Sequence, residues 1–215
     1  MTLILYAHPF SSYCWKALIA LWENDIPFDY RRIDDPAHHA AWERAAPFKR
    51  MPLLIDGETI VHESSIIIEH LQIHHRGSVA LIPMDAAMAL NVRLLDRLSD
   101  HYLMAPMQQI VFDQTRKEDD RDPVGVAQSR DALDRAYAWW DAHMKGREWA
   151  DSFSLADCAT APALFYADWV QPIPETCAAL RSYRARLLAW PSVARVVNEA
   201  RPFRSFFPFG DPGRD

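Results

Sequence analysis

Strand-like patterning ends near residue 77, and the remainder of the chain reads as helix alone. Before that point Leu3-Ile4-Leu5-Tyr6 is a short apolar run with the character of a buried strand. Trp15, Leu18, Ile19 and Trp22 then fall at helical spacing, and Pro27 breaks the chain. Residues 28–33 alternate as a second strand, residues 37–45 suggest a short helix, and Leu53-Leu54-Ile55 forms a third strand entered from Pro52. Asp56-Gly57 is a hairpin signal returning through Thr59-Ile60-Val61, and Ile67, Ile68 and Leu71 mark a helix after Glu63-Ser64-Ser65. The order is βαβαββα. A βαβ start followed by a hairpin predicts a mixed sheet with helices packed on it.

The second part is expected to be all-helical. Leu90, Leu94 and Leu98 line one helix face, and Leu133, Ala136, Tyr137 and Trp140 line another. Residues 155–170 are apolar on nearly every side, which predicts a buried central helix. Ser154-Leu155-Ala156-Asp157 precedes it with capping-box spacing, Asp standing for the usual Glu. Residues 181–188 and 193–200 are shorter helices. The expected division is residues 1–76, a linker at 77–85, a helical domain at 86–202, and an extended tail at 203–215 that holds Pro208 and Pro212.

Charge and cysteine content exclude several classes. The formal net charge is -6, without a like-charged block, so a basic nucleic-acid footprint is missing. Three cysteines without a C-x-x-C motif fit a reducing cytoplasm better than a disulfide framework. No run of about 18 apolar residues predicts a membrane span. No glycine precedes Gly57, which removes a Walker loop and a dinucleotide fingerprint from the first βα turn.

Three segments can carry chemistry. In His8-Pro9-Phe10-Ser11-Ser12-Tyr13-Cys14 a strand ends and a helix begins. Backbone N–H groups at a helix start favour a nearby anion, and a serine hydroxyl there can donate to a thiolate. A free thiol has a pKa of about 8.5, and lowering it by ~2 units requires roughly 2.7 kcal/mol of preference for the anion. A charge-assisted hydrogen bond and a helix terminus supply about that. A plain N-cap role accounts for either serine as well. Arg50-Met51-Pro52-Leu53 places a proline at a strand entrance, where Met51 can pair its backbone with an extended ligand; a simple loop-to-strand transition is the alternative. His62-Glu63-Ser64-Ser65 opens a helix, where an acid and a hydroxyl suit a ligand bearing both ammonium and carboxylate; ordinary capping is again the alternative.

The order of these pieces resembles the glutathione transferases: a serine turn, Met-Pro before Asp-Gly, then Glu-Ser opening a helix. Leu81-Ile82-Pro83 is similar to that family's linker, Phe153-Ser154-Leu155-Ala156-Asp157 to its helical-domain signature, and Trp190-Pro191 to its late Trp-Pro. The resemblance implies a thioredoxin-like α/β N-terminal domain, an all-α C-terminal domain, and glutathione as co-substrate. It puts Ser11 on the catalytic serine position, Met51 against the cysteinyl part of glutathione, and Pro52 in cis. Glu63 and Ser64 would hold the γ-glutamyl end, and Ser12 and Pro52 are counted with the glutathione-binding residues. Arg50, in preference to Lys49, would meet the glycine carboxylate. Tyr6 lies near the tyrosine that other classes use and is the alternative catalytic group. A cytoplasmic homodimer acting on small, apolar electrophiles is the implied setting.

The Ser11-Ser12 pair is similar to that of the zeta class, which includes isomerases of maleylacetoacetate type. Zeta members usually carry cysteine directly after the pair, whereas Tyr13 stands there and Cys14 comes one residue later. A glutathione-dependent cis-trans isomerase is therefore the second expectation, and a non-catalytic binding or regulatory protein on the same fold is the third. Cys14 is expected to be a small buried apolar residue. Tyr102, Met104, Met107, Phe112, Trp169, Phe203, Phe206 and Phe207 suit either an electrophile pocket or an ordinary core. His70 and His74 have i,i+4 ligand spacing, yet no third ligand is evident in the sequence. A solvated face, with no metal, is the expectation there.

Overall fold

The computed structural model describes residues 2–150 and 152–215. Four strands form one sheet: β1 (Leu3–Ala7), β2 (Phe28–Arg32), β3 (Leu53–Asp56) and β4 (Thr59–His62), in the order β2-β1-β3-β4. β1 is parallel to β2 and antiparallel to β3, and β3 is antiparallel to β4, so the sheet is mixed as the pattern predicts. Side chains alternate across it. Leu3, Leu5 and Ala7 enter the main core with α1 (Ser12–Glu23) and α3 (Ser64–His74). Tyr6 and Leu53 point the other way, into a small cluster with Trp42 and Ala46 at α2 (Pro36–Ala45) and its end.

Helices α4 (Ala86–Leu98) and α5 (Ala105–Gln114) are joined without a break by a π-helical segment, Ser99–Met104. Then come α6 (Pro123–Met144), α7 (Leu155–Val170), α8 (Ala178–Ala189) and α9 (Pro191–Ala200). All residues of α7 are buried, as its uniform apolarity demands. α1 packs on it, which brings the sheet and the helical part onto one core.

The capping box of α7 is present. The Ser154 N–H donates to Asp157 at 2.9 Å, and the Tyr183 hydroxyl donates to the other carboxylate oxygen at 2.6 Å. Burial pushes the Asp157 carboxyl up to about 6, against the pull of these donors. Asp157→Ala strands the Ser154 N–H and the Tyr183 hydroxyl in the core. Urea denaturation is expected to show a loss of about 2–3 kcal/mol; an unchanged midpoint would count against this role.

The fold orients one stripe seen in the sequence and corrects the expected tail. The Leu90-Leu94 stripe does not face the core: these residues are 69% and 51% exposed, and Ala89, Val92 and Leu95 pack inward instead. α4 therefore carries two apolar stripes. The tail is not wholly extended either. Arg201–Phe206 forms a 3-10 helix started by Pro202, and Arg201 and Arg204 both pair with Asp215. Arg214 reaches back to Asp168, so the chain end lies against α7.

Candidate active site

A cleft of about 740 Å³ lies between the sheet and the helical part. Seven of the residues singled out in the sequence line it together: Ser11, Ser12, Arg50, Met51, Pro52, Glu63 and Ser64. They arrive from three separate turns. β1 ends at Ala7, and its continuation carries Ser11 to the N-cap of α1. Met51-Pro52 is a cis peptide that delivers the chain into β3. Glu63 is the N-cap of α3.

Ser11 performs the capping role and still has a proton to give. Its hydroxyl oxygen accepts from the Cys14 N–H at 3.4 Å, and the Ser11 N–H is itself taken by the His8 carbonyl. A hydroxyl can accept and donate at once, so the cap leaves its O–H for a ligand in the cleft. Ser12 is buried as the first residue of α1.

Glu63 has φ of +66°, the left-handed region that costs a non-glycine residue of order 1–3 kcal/mol. Its side chain makes no capping bond and is exposed to the cleft. Ser64, directly after it, is buried at the helix start. Strain of this kind persists where surrounding structure enforces it, and here it sits on the cleft wall. Lys49 also has positive φ, and its ammonium pairs with Glu43, whereas Arg50 is exposed on the cleft rim.

Tyr6 is not brought to this site. It is 2% exposed, turned to the α2 side of the sheet, and its hydroxyl accepts from Arg31 at 3.1 Å. Cys14 is fully buried, and burial pushes its thiol up to about 11, so it stays protonated and unreactive at neutral pH.

The facing wall comes from the helical part. Met107, Val111, Phe112 and Tyr166 line it, with Phe206 and Phe207 of the tail. Phe203 packs edge-on against His8, which also lines the cleft and whose pKa is lowered chiefly by burial. Met104 and Trp169 belong to the core, and Tyr102 lies on another face, beside Trp139.

Several polar residues of the cleft have no role assigned to them by the sequence. Tyr13 lines it, and burial first, then Asp100 and Glu63, push its hydroxyl up to about 12, so it remains a donor at neutral pH. Arg97, Asp100 and His101 enter from the junction of α4 and the π-helical turn, a backbone irregularity frequent at functional sites. Behind them Lys16, fully buried, donates to Asp96 at 2.7 Å, Asp100 at 2.9 Å and Ser65 at 3.0 Å. Burial raises the Asp100 carboxyl, and Lys16 opposes that. The sequence holds one signal of this cluster: Lys16 stands inside the otherwise apolar run from Cys14 to Leu21, where a charge requires a partner.

The chain is similar to several known proteins. Residues 5–78 match the family described as glutathione S-transferase, N-terminal domain. A probable maleylacetoacetate isomerase of Vibrio cholerae serotype O1 is 27% identical, over 94% of this chain and 98% of its own length. A glutathione S-transferase of Methylobacterium radiotolerans, solved in complex with glutathione sulfonate, superposes with a TM-score of 0.80 at 26% identity, covering 92% of this chain and 95% of that one. One from Methylobacillus flagellatus, solved with GSH bound, gives a TM-score of 0.81 at 24% identity, covering 91% and 98%.

Proposed function

We propose that this chain, which has the glutathione transferase fold and carries that family's N-terminal domain at residues 5–78, joins the thiolate of glutathione to small apolar electrophiles. The observation that carries the reading is the meeting of Ser11, Met51, Glu63 and Ser64, from three distant turns, on one cleft opposite an apolar wall. Glutathione lies extended along Met51, with its amino end at Glu63, its first carboxylate at Ser64 and the start of α3, and its glycine end toward Arg50. Ser11 donates to the sulfur, and Ser12 adds to the first turn of α1. The thiolate then attacks an electrophilic carbon held among Val111, Phe112 and Phe206. Positioning and anion stabilisation carry such a reaction; no buried acid–base pair is needed.

In this reading the glutathione domain is residues 1–76, the linker 77–85, the electrophile domain 86–202, and the tail 203–215. The protein works in the cytoplasm, in keeping with three free, buried cysteines. No helix among the described residues is long and apolar enough to cross a membrane. A second copy covers this flank: Leu90 and Leu94 are exposed on α4, Tyr102 is exposed on the π-helical segment that continues it, and Trp139 of α6 is beside Tyr102. Large exposed apolar side chains grouped in this way mark association surfaces.

Conjugation of glutathione to a chloro-nitroarene, with calorimetric binding of glutathione, tests the reading; absence of both at millimolar glutathione would overturn it. Glu63→Ala is expected to weaken glutathione binding about 10-fold, which is ~1.4 kcal/mol. Unaltered affinity would contradict the docking. The full-length similarity to the probable isomerase favours a second reading, in which the thiol adds to a cis-enone acid, a bond rotates, and the thiol leaves. Turnover of such an acid without conjugate accumulation would select it.

A further inference from the structure

We propose that Asp56, His70 and His75 form a binding site for a divalent first-row transition metal of the zinc type, apart from the cleft. β3 begins beside Pro52 at the cleft and ends at Asp56, so the two places are separated by a strand of roughly 13 Å. At the far end the Asp56 carboxylate meets two imidazoles. His70 Nε2 lies 2.9 Å and His75 Nε2 2.7 Å from the same oxygen, Oδ2. One ligand atom from each residue falls within 4.8 Å of both others. The side chains are 21%, 14% and 29% exposed, shielded yet open to an entering ion.

The helical spacing of His70 and His74 does not define this site, because α3 ends at His74. His75, at φ -135° and ψ 53°, leaves the helix and turns its ring to the hairpin. The third ligand is Asp56, 14 residues before His70.

Two imidazole nitrogens and one carboxylate oxygen suit zinc, cobalt, nickel or copper better than calcium or magnesium, which take mostly oxygen. Three protein ligands leave a tetrahedral position for water. Metal–ligand bonds of about 2.0–2.2 Å place tetrahedral ligands ~3.4 Å apart, so each imidazole nitrogen needs to draw back from the Asp56 oxygen by only about half an ångström or slightly more. The hydrogen bonds seen here describe the proton-loaded form. A metal takes the place of the Nε2 protons: each neutral imidazole carries its proton on Nδ1 instead, and an imidazolium releases one to solvent. No electron transfer is involved. An aspartate carboxyl is ionised at neutral pH, so the ligand oxygen is anionic. The bound ion would clamp the β3–β4 hairpin to the end of α3. The thiol chemistry proposed for the cleft does not use it, and neither proposal depends on the other.

The test is titration of the full-length protein with Co(II), glutathione and other thiols being absent. All three cysteines are buried, which removes the strongest competing ligands. One equivalent is expected to bind with tetrahedral visible absorption, and Zn(II) is expected to displace it. Asp56→Asn, His70→Gln and His75→Gln should each weaken binding about 10-fold or more, while His74→Gln leaves it unchanged. Zn(II) should raise the melting temperature of the unaltered protein and not of the His75→Gln protein. No saturable spectrum, equal affinity after His70→Gln, or an equal loss after His74→Gln would each overturn the assignment.

Discussion

Replacing Ser11 by alanine is expected to raise the pKa of enzyme-bound glutathione by about 1–2 units and to lower conjugation at neutral pH by roughly 10- to 100-fold. The effect on affinity for glutathione is expected to be small, since most of the peptide docks elsewhere. Ser11 is also the N-cap of α1, so its removal has a structural cost, which is separable from the chemical one. An N-cap contributes about 1 kcal/mol, and this one, accepting at 3.4 Å, lies at the weak end. Thiolate absorbance against pH, with glutathione saturating, reads the chemical role directly. An unchanged titration would pass that role to Ser12, because Tyr6 is held by Arg31 away from the cleft.

The largest stability effect is expected at Lys16. Lys16→Met leaves Asp96 and Asp100 buried beside each other, with only the half-exposed Arg97 still in contact with both. Removing one partner from a buried ion cluster costs about 3–5 kcal/mol, which for a chain of this size is a fall in Tm on the order of 10 °C. Combining Lys16→Met with Asp96→Asn and Asp100→Asn should restore much of it, because the stranded charges are then gone. Calorimetric melting of the two proteins decides the matter. A single variant as stable as its parent would mean that solvent reaches Asp96 and Asp100 after all.

What the sequence makes legible is local. β1, the Asp56-Gly57 hairpin, the α7 capping box and the apolar α7 each rest on residues close together in the chain, and all are found. The Ser11, Met51 and Glu63 turns are visible for the same reason: each ends one element and starts another. The features that stay hidden join distant segments. Lys16 meets Asp96 and Asp100 across some 80 residues, and no periodicity announces such a pairing. Spacing puts Leu90 and Leu94 on one face of α4, but two apolar faces share that helix, and spacing alone does not say which faces inward. His75 gives no sign in the sequence because its approach to Asp56 depends on where α3 stops.

The Lys16 cluster fastens α1 of the sheet half to the α4 junction of the helical half, directly behind the cleft. Walls bolted at their back are poorly suited to swinging apart like a hinge. Accommodation of reactants of unequal bulk is then left to the swivelling of pendant rings such as Phe112 and Phe206, both exposed at the opening. Breadth of substrate choice would follow from side-chain rotation, with the frame that grips the thiol staying rigid.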